Sequence, residues 1–219
     1  MRALVTGATG LVGTALLSRL EHPVVLSRDA SKAAAGLGRD DVKVFSWDPQ
    51  RDPAPAEAFE GVDVVFHLAG ESVAEGRWAA EKKARIRDSR VVGTRNLVGA
   101  LTRLARPPGV LVSASAVGYY GDRGDEILDE AAGPGSDFLA EVSVAWEREA
   151  LAASEAGIRV VNPRIGIVLS RDGGALPKML APFRLGLGSP LGSGRQWMPW
   201  IHLDDLIGVL LLAAQREDL

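Results

Sequence analysis

MRALVTGATGLVG, residues 1–13, decides how the rest of the chain is read. The apolar run Ala3-Leu4-Val5 leads directly into Gly7, Gly10 and Gly13, and residues 14–20 (TALLSRL) continue as a helix-forming segment. Strand, glycine turn and helix in that order form the first βα unit of a dinucleotide-binding fold. Glycines there let the backbone approach a pyrophosphate, and the helix start offers free N–H groups and a positive dipole end. The spacing is GxxGxxG rather than GxGxxG, and glycines also mark ordinary tight turns. The strand before and the helix after favour the nucleotide. The candidate phosphate-binding residues are Gly7, Thr9, Gly10, Leu11, Val12 and Gly13.

Further strands are predicted over 22–27, 42–47, 62–68, 110–113 and 158–162, with helices over about 79–105, 138–154, 176–185 and 206–214. This alternation predicts a Rossmann-type doubly wound α/β fold, its mainly parallel sheet covered by helices on both faces. A chain of 219 residues with 47% hydrophobic content suits one such domain over 1–219, with a small substrate-side segment around 173–203. The stretch GLGSPLGSGRQ inside that segment reads equally as a mobile lid or as a plain loop. A net charge of −3 gives no reason to expect nucleic acid or an anionic membrane as partner. Cysteine is absent, which removes disulfides, thiolate metal sites and a cysteine nucleophile. No apolar run reaches the roughly 18–20 residues of a membrane span, and the N-terminus enters its first strand without a leader. A cytoplasmic protein acting on a small molecule is the expectation.

Several polar residues fall at strand ends, where open α/β sheets bind ligands. The second strand closes on Ser27-Arg28, with Lys32 one helical turn on. An Arg fork grips a 2′-phosphate, so NADP is favoured over NAD; the alternative is a solvated Arg28 with Asp29 on the ribose. Asp48, before Pro49, is either an adenine acceptor or a turn starter. The fourth strand ends in Leu68-Ala69-Gly70, small enough for a flat cofactor to lie on the backbone. His67 within it reads as a core histidine before a catalytic one. On the long helix, Ile86, Arg90, Gly93, Leu97, Leu101 and Leu104 share one stripe, where Arg90 is out of place. It either snorkels or pairs with Asp88 or Asp122, or it points at a bound cofactor or substrate. Ser115, Tyr119 and Tyr120 follow the fifth strand as candidate catalytic hydroxyls.

The chain resembles the extended short-chain dehydrogenase/reductases of the NAD-dependent epimerase/dehydratase superfamily. TGATGLVG (6–13), HLAG (67–70), VVGTRNLVGAL (91–101) and IHLDD (201–205) carry the resemblance. GESVAEGRW (70–78), RIRDSRVVGT (85–94), SASAVGYYGD (113–122), FLAEVSVAWE (138–147) and GSGRQWMPWIHLDDL (192–206) are similar to an atypical branch known only as epimerase family proteins. The resemblance implies NADP binding, leaves the substrate open, and implies a smaller C-terminal portion beyond Leu219, so the chain is either a short form or a truncated one.

The superfamily's chemistry uses a tyrosine as acid/base with a lysine four residues on, a serine and an asparagine. The two tyrosines, Tyr119 and Tyr120, are followed four residues later by Arg123 and Gly124, and no lysine lies between Lys83 and Lys178. The alignment implied by the resemblance puts Leu139 and Ser143 at the dyad positions and Arg90 at the asparagine, while Ser115 keeps the serine. Two classes of function remain. In an NADP-dependent oxidoreductase or epimerase, Ser115 holds the substrate oxygen, Tyr119 or Tyr120 gives the proton, and Arg90 steadies the charge. Tyr119 alternatively packs as an apolar plate. The other class is an NADP(H) sensor without turnover; nothing in the residues supports a role in cell division.

Overall fold

The computed structural model describes residues 1–190 and 192–219. Leu191, within the GLGSPLGSGRQ stretch, lies outside the described residues. The chain begins with β1 (Ala3–Thr6), turns through the glycines into α1 (Leu11–Leu17), and continues with β2 (Val24–Ser27), α2 (Ala30–Leu37) and β3 (Lys43–Ser46). Next come β4 (Val64–His67), α3 (Ala80–Leu101), β5 (Val110–Ser113), the two-residue β6 (Ser115–Ala116) and α4 (Phe138–Leu151). The last third holds β7 (Arg159–Val161), β8 (Arg164–Ile165), β9 (Ile167–Ser170), β10 (Gly173–Gly174), α5 (Ala175–Arg184), β11 (Trp200–His202) and α6 (Leu203–Gln215).

Six strands pair in parallel in the order β3-β2-β1-β4-β5-β7. Successive side chains on a strand point to opposite faces, so each central strand feeds two cores. Leu4, Val65 and Leu111 enter the core closed by Leu97, Leu101 and Ala150 of α3 and α4. Val5, Phe66 and Val112 enter the other, closed by Leu16 of α1 and Leu206 and Leu210 of α6. That two-sided burial is why the strands read as unbroken apolar runs. The order reverses between β1 and β4, and their carboxyl ends open the crevice where such sheets take ligands.

Beyond that sheet, β6 pairs with β8, and β9 lies between β10 and β11. Segment 173–203 thus attaches through short strands around α5. The expected elements are present with shifted ends. Helix α3 stops at Leu101 because Arg103 and Leu104 bond back to Ala100 and Leu101, three residues away, tightening the last turn before Pro107. Leu104 still packs on the core from that turn. Helix α6 starts at Leu203, earlier than expected, because His202 Nδ1 accepts the Asp204 N–H at 3.2 Å. Histidine is not among the usual caps, so the sequence hid this start. No helix is long and apolar enough to cross a membrane among the described residues.

One polar chain pins β1, β4 and α3 together inside this apolar setting. Thr6 Oγ1 accepts the Leu68 and Ala69 N–H groups, each at 3.2 Å. Its own proton therefore goes to His67 Nδ1 at 2.7 Å, leaving Nε2–H to donate to Thr94 Oγ1 at 3.0 Å. His67 has no exposed surface, and burial pushes its pKa down from 6.5 to about 4. It is a satisfied core histidine.

Two predictions follow from these contacts. Folded His67 stays neutral where an unfolded histidine takes up a proton, so its contribution to stability is full above about pH 6.5 and declines as pH falls towards about 4. Urea titrations across that window should lose about 3 kcal/mol from this group, a slope absent in His67→Gln. A Cβ at Gly13 would lie 2.2 Å from the Gly7 carbonyl oxygen, whereas one at Gly36 meets nothing within 4 Å. Gly13→Ala should cost about 2–3 kcal/mol and Gly36→Ala should stabilise α2 by about 0.5–1 kcal/mol, both read from chemical denaturation.

Candidate functional site

The glycine turn is built by backbone contact. Gly7 has φ +70°, a left-handed conformation that L side chains rarely adopt, and a Cβ there would sit 2.8 Å from Ala69 N and Leu68 O at the end of β4. The Gly10 N–H donates to the Gly7 carbonyl at 3.0 Å, folding the loop back on itself. Gly10 then caps α1 with no side chain on its first N–H groups. Those orphan donors and the helix dipole face an open cleft.

The cleft, about 620 Å³, runs from Thr6–Gly10 along Leu68–Gly70 to Ser27, Arg28 and Asp48. Arg28 is exposed. Asp29, the alternative for a ribose, has Oδ1 engaged in capping α2 through the Lys32 N–H at 2.9 Å. Ser27 Oγ donates to the Asp29 carbonyl, which holds this corner. Asp48 starts a turn, its carbonyl accepting from Arg51 and Asp52, while the residue still lines the cleft. Pro49 of that turn lies where a Cβ on Gly93 would press at 3.2 Å, and its carbonyl accepts from Asn96 at 2.9 Å, so α3 fixes the far wall.

Arg90 does not pair with Asp88 or Asp122. Asp88 is paired with Arg87, and Arg90 Nη1 donates to the Glu71 and Ile86 carbonyls at 3.0 and 3.1 Å. The guanidinium lies over the Trp146 ring at 5.1 Å and beside the Cα of Gly70, where an added Cβ would meet it at 3.2 Å. Burial holds its pKa below the ordinary arginine value, opposed by the Glu71 charge. This cation stands against the floor of the cleft and not against the tyrosines.

Another arginine meets the tyrosines. Arg164 Nη1 donates to the Tyr120 hydroxyl at 2.8 Å, and its guanidinium stacks 3.5 Å from the Tyr119 ring centre. Its Nε and Nη2 grip Glu147 at 2.9 Å each. The Glu147 carboxylate, the largest influence, raises the pKa of Arg164 further above the arginine range. Ser115 Oγ, buried, donates to the same carboxylate at 2.5 Å. Ser115 and Tyr120 are thus joined through Glu147 and Arg164, while Tyr119 forms a plate under the guanidinium. Sequence reasoning missed both Glu147 and Arg164. The one signal was the spacing of Leu139, Ser143 and Glu147 at four-residue steps along one face of α4.

Tyr120 also lines a second cavity of about 930 Å³, with Leu139 of α4, Ile127 and Leu128 of the loop after the tyrosines, and Trp197 and Met198 before β11. Trp197 Nε1 donates to Asp125 at 2.7 Å, joining segment 173–203 to that loop. No cluster of three or more His, Cys, Asp or Glu suited to a metal ion is present among the described residues.

Residues 3–219 match the NAD dependent epimerase/dehydratase family. An epimerase family protein of Mycobacterium bovis is 38% identical over 218 residues, covering 98% of this chain and 69% of its own length. A chloroplastic SDR39U1 homologue of Arabidopsis thaliana is 41% identical over 217 residues, 96% of this chain and 61% of its own. Among solved structures, human epimerase family protein SDR39U1 with NADPH superposes at TM-score 0.83 and 33% identity, covering 100% of this chain and 72% of that one. A nucleoside-diphosphate sugar epimerase of Corynebacterium glutamicum superposes at TM-score 0.83 and 36% identity, covering 100% and 44%. The match spans the strands, the glycine turn and the cleft just described, and the chain belongs to the NAD dependent epimerase/dehydratase family.

Proposed function

We propose that this chain binds NADP(H) and works as an atypical oxidoreductase or epimerase on an unidentified small molecule, without the Tyr-Lys pair. One observation carries the nucleotide: a glycine cradle with no room for a Cβ at Gly7 or Gly13 opens onto a cleft that ends at exposed Arg28. Gly7, Thr9, Gly10, Leu11, Val12 and Gly13 hold the pyrophosphate through backbone N–H groups. Arg28 holds the 2′-phosphate, the Arg fork matching its oxygens, with Ser27 beside it shaping the corner through its bond to the Asp29 carbonyl. Leu68, Ala69 and Gly70 give the flat surface for the nicotinamide end, with Arg90 behind Gly70. The human relative's complex with NADPH supports the choice. When bound, the nicotinamide supplies hydride chemistry; the protein supplies orientation and protons. The missing cysteines suit the cytoplasm, where disulfides are rare.

A second reading, an NADP(H) sensor without turnover, is favoured by one feature. Ser115 gives its proton to Glu147 and so does not offer it to a substrate oxygen. The two readings separate on a panel of aldehydes and ketones followed by NADPH oxidation: turnover removed by Ser115→Ala supports the enzyme, and no oxidation of any member supports the sensor.

Calorimetry should give NADPH at least about tenfold tighter binding than NADH, a difference of about 1.4 kcal/mol, with Arg28→Ala removing most of it. Equal affinities would sink the NADP assignment. UDP-glucose and UDP-galactose should not be epimerised, because no YxxxK exists in the chain.

A further inference from the structure

The Glu147–Arg164 pair is a densely bonded charged group outside the nucleotide cleft, and the proposed function leaves it without a task. Its guanidinium has a carboxylate on one side, a phenol oxygen on another and an aromatic ring beneath. That phenol belongs to a residue lining the larger cavity. The Leu139–Ser143–Glu147 face, which carries the family's dyad positions in its first two residues, delivers a carboxylate one turn further on.

We propose that Tyr120 is the proton donor of this site and that Arg164, aligned by Glu147, is the cation that holds its phenol oxygen. The inference rests on the NADP(H) oxidoreductase reading above. Three features of the geometry support it. Tyr120 accepts from Arg164, so the phenol's own proton stays available to a ligand in the cavity. The charge on Arg164 sits 2.8 Å from the oxygen that becomes negative once that proton leaves. Glu147 binds Arg164 through two parallel bonds, which fix the plane and leave Nη1 aimed at Tyr120.

In carbonyl reduction the carbonyl carbon would gain a hydride supplied by a bound reduced nicotinamide as the C=O π bond breaks, and its oxygen would take the Tyr120 proton. The carbonyl would become an alcohol and the nicotinamide would be oxidised, while the Tyr120 phenolate would remain beside Arg164 until solvent reprotonates it. Arg164 and Glu147 are positioning residues; neither transfers the proton. Other charged groups lining the cavity with Tyr120 are Asp137 at the start of α4, Asp122, Arg123, Asp125 and Glu126 in its own loop and Arg195 before β11, Arg123 being held by Glu126.

The chain has two tyrosines, so Tyr119→Phe leaves Tyr120 as the single phenol and keeps an aromatic plate under Arg164. Ultraviolet titration of tyrosinate then reports one residue. In the Tyr119→Phe background, Arg164→Gln should move the Tyr120 midpoint upward by about one pH unit or more, and Arg164→Lys should restore most of it. Because Arg164→Gln strands Glu147, the Glu147→Gln/Arg164→Gln pair is measured as well, and it should shift in the same direction. Circular dichroism confirms that each variant is folded. A midpoint unmoved in both Gln variants, or moved as far by Lys as by Gln, overturns the proposal. NADPH fluorescence titration of the parent tests the underlying reading separately: failure to bind refutes the cofactor while the phenol titration still decides Arg164. With any carbonyl found to be reduced, Tyr120→Phe should lower kcat by about 10²-fold or more with NADPH affinity unchanged. An unchanged kcat removes Tyr120 as donor.

Discussion

The structure depends on how closely the backbone of the first βα turn approaches its neighbours. Gly13 packs α1 onto the Gly7 carbonyl, and Gly7 packs the turn onto the end of β4. Neither contact leaves space for a methyl group. Because β1 and β4 are adjacent in the sheet and the winding reverses between them, this approach brings the N–H groups of α1 and the flat Leu68–Gly70 floor into one cleft. The Thr6–His67–Thr94 chain serves the same junction from inside. It satisfies the N–H of Ala69 where β4 leaves the sheet and gives the Leu68 N–H a second acceptor beside the Thr6 carbonyl at 3.3 Å.

Charge is arranged around that junction in two separate places. Arg90 lies under the cleft floor, stacked against Trp146 and bonded to the Glu71 and Ile86 carbonyls, and burial holds its pKa below the ordinary arginine value against the opposing pull of the Glu71 charge. Arg164 lies beyond β5, saturated by Glu147 and two tyrosines. The distinction matters for chemistry. A cation clamped by a carboxylate, as Arg164 is, acts by orienting what else touches it.

Much of the fold was legible in the chain. The apolar runs marked the central strands β1, β2, β4 and β5 because burial on both faces removes the polar alternation, while the edge strands β3 and β7 are only partly buried. Element ends were less legible: the Nδ1 cap of His202 and the tightened turn after Leu101 depend on local geometry that residue type does not encode. In the site, the glycines and Arg28 were readable because backbone space and a guanidinium at a strand end each have few alternative uses. Glu147 and Arg164 were not, since a carboxylate on a helix and an arginine after a proline ordinarily read as surface charge. The pairing of Arg90 with Asp88 or Asp122 was also open from sequence, and the structure gives Arg90 carbonyl partners instead.

By itself the sequence determined the fold class, the glycine cradle and the absence of any tyrosine with a lysine four residues on. These are properties of local order and composition, and folding does not alter them. The tertiary structure alone decided which cation stands beside which hydroxyl. Tyr120 and Arg164 are 44 residues apart and Ser115 and Glu147 are 32 apart, brought together by the β6–β8 pairing and by α4 packed against it. It also decided that Asp29 caps a helix and that His67 is neutral and fully enclosed. Such facts follow from distance and desolvation, which no periodicity in the chain records.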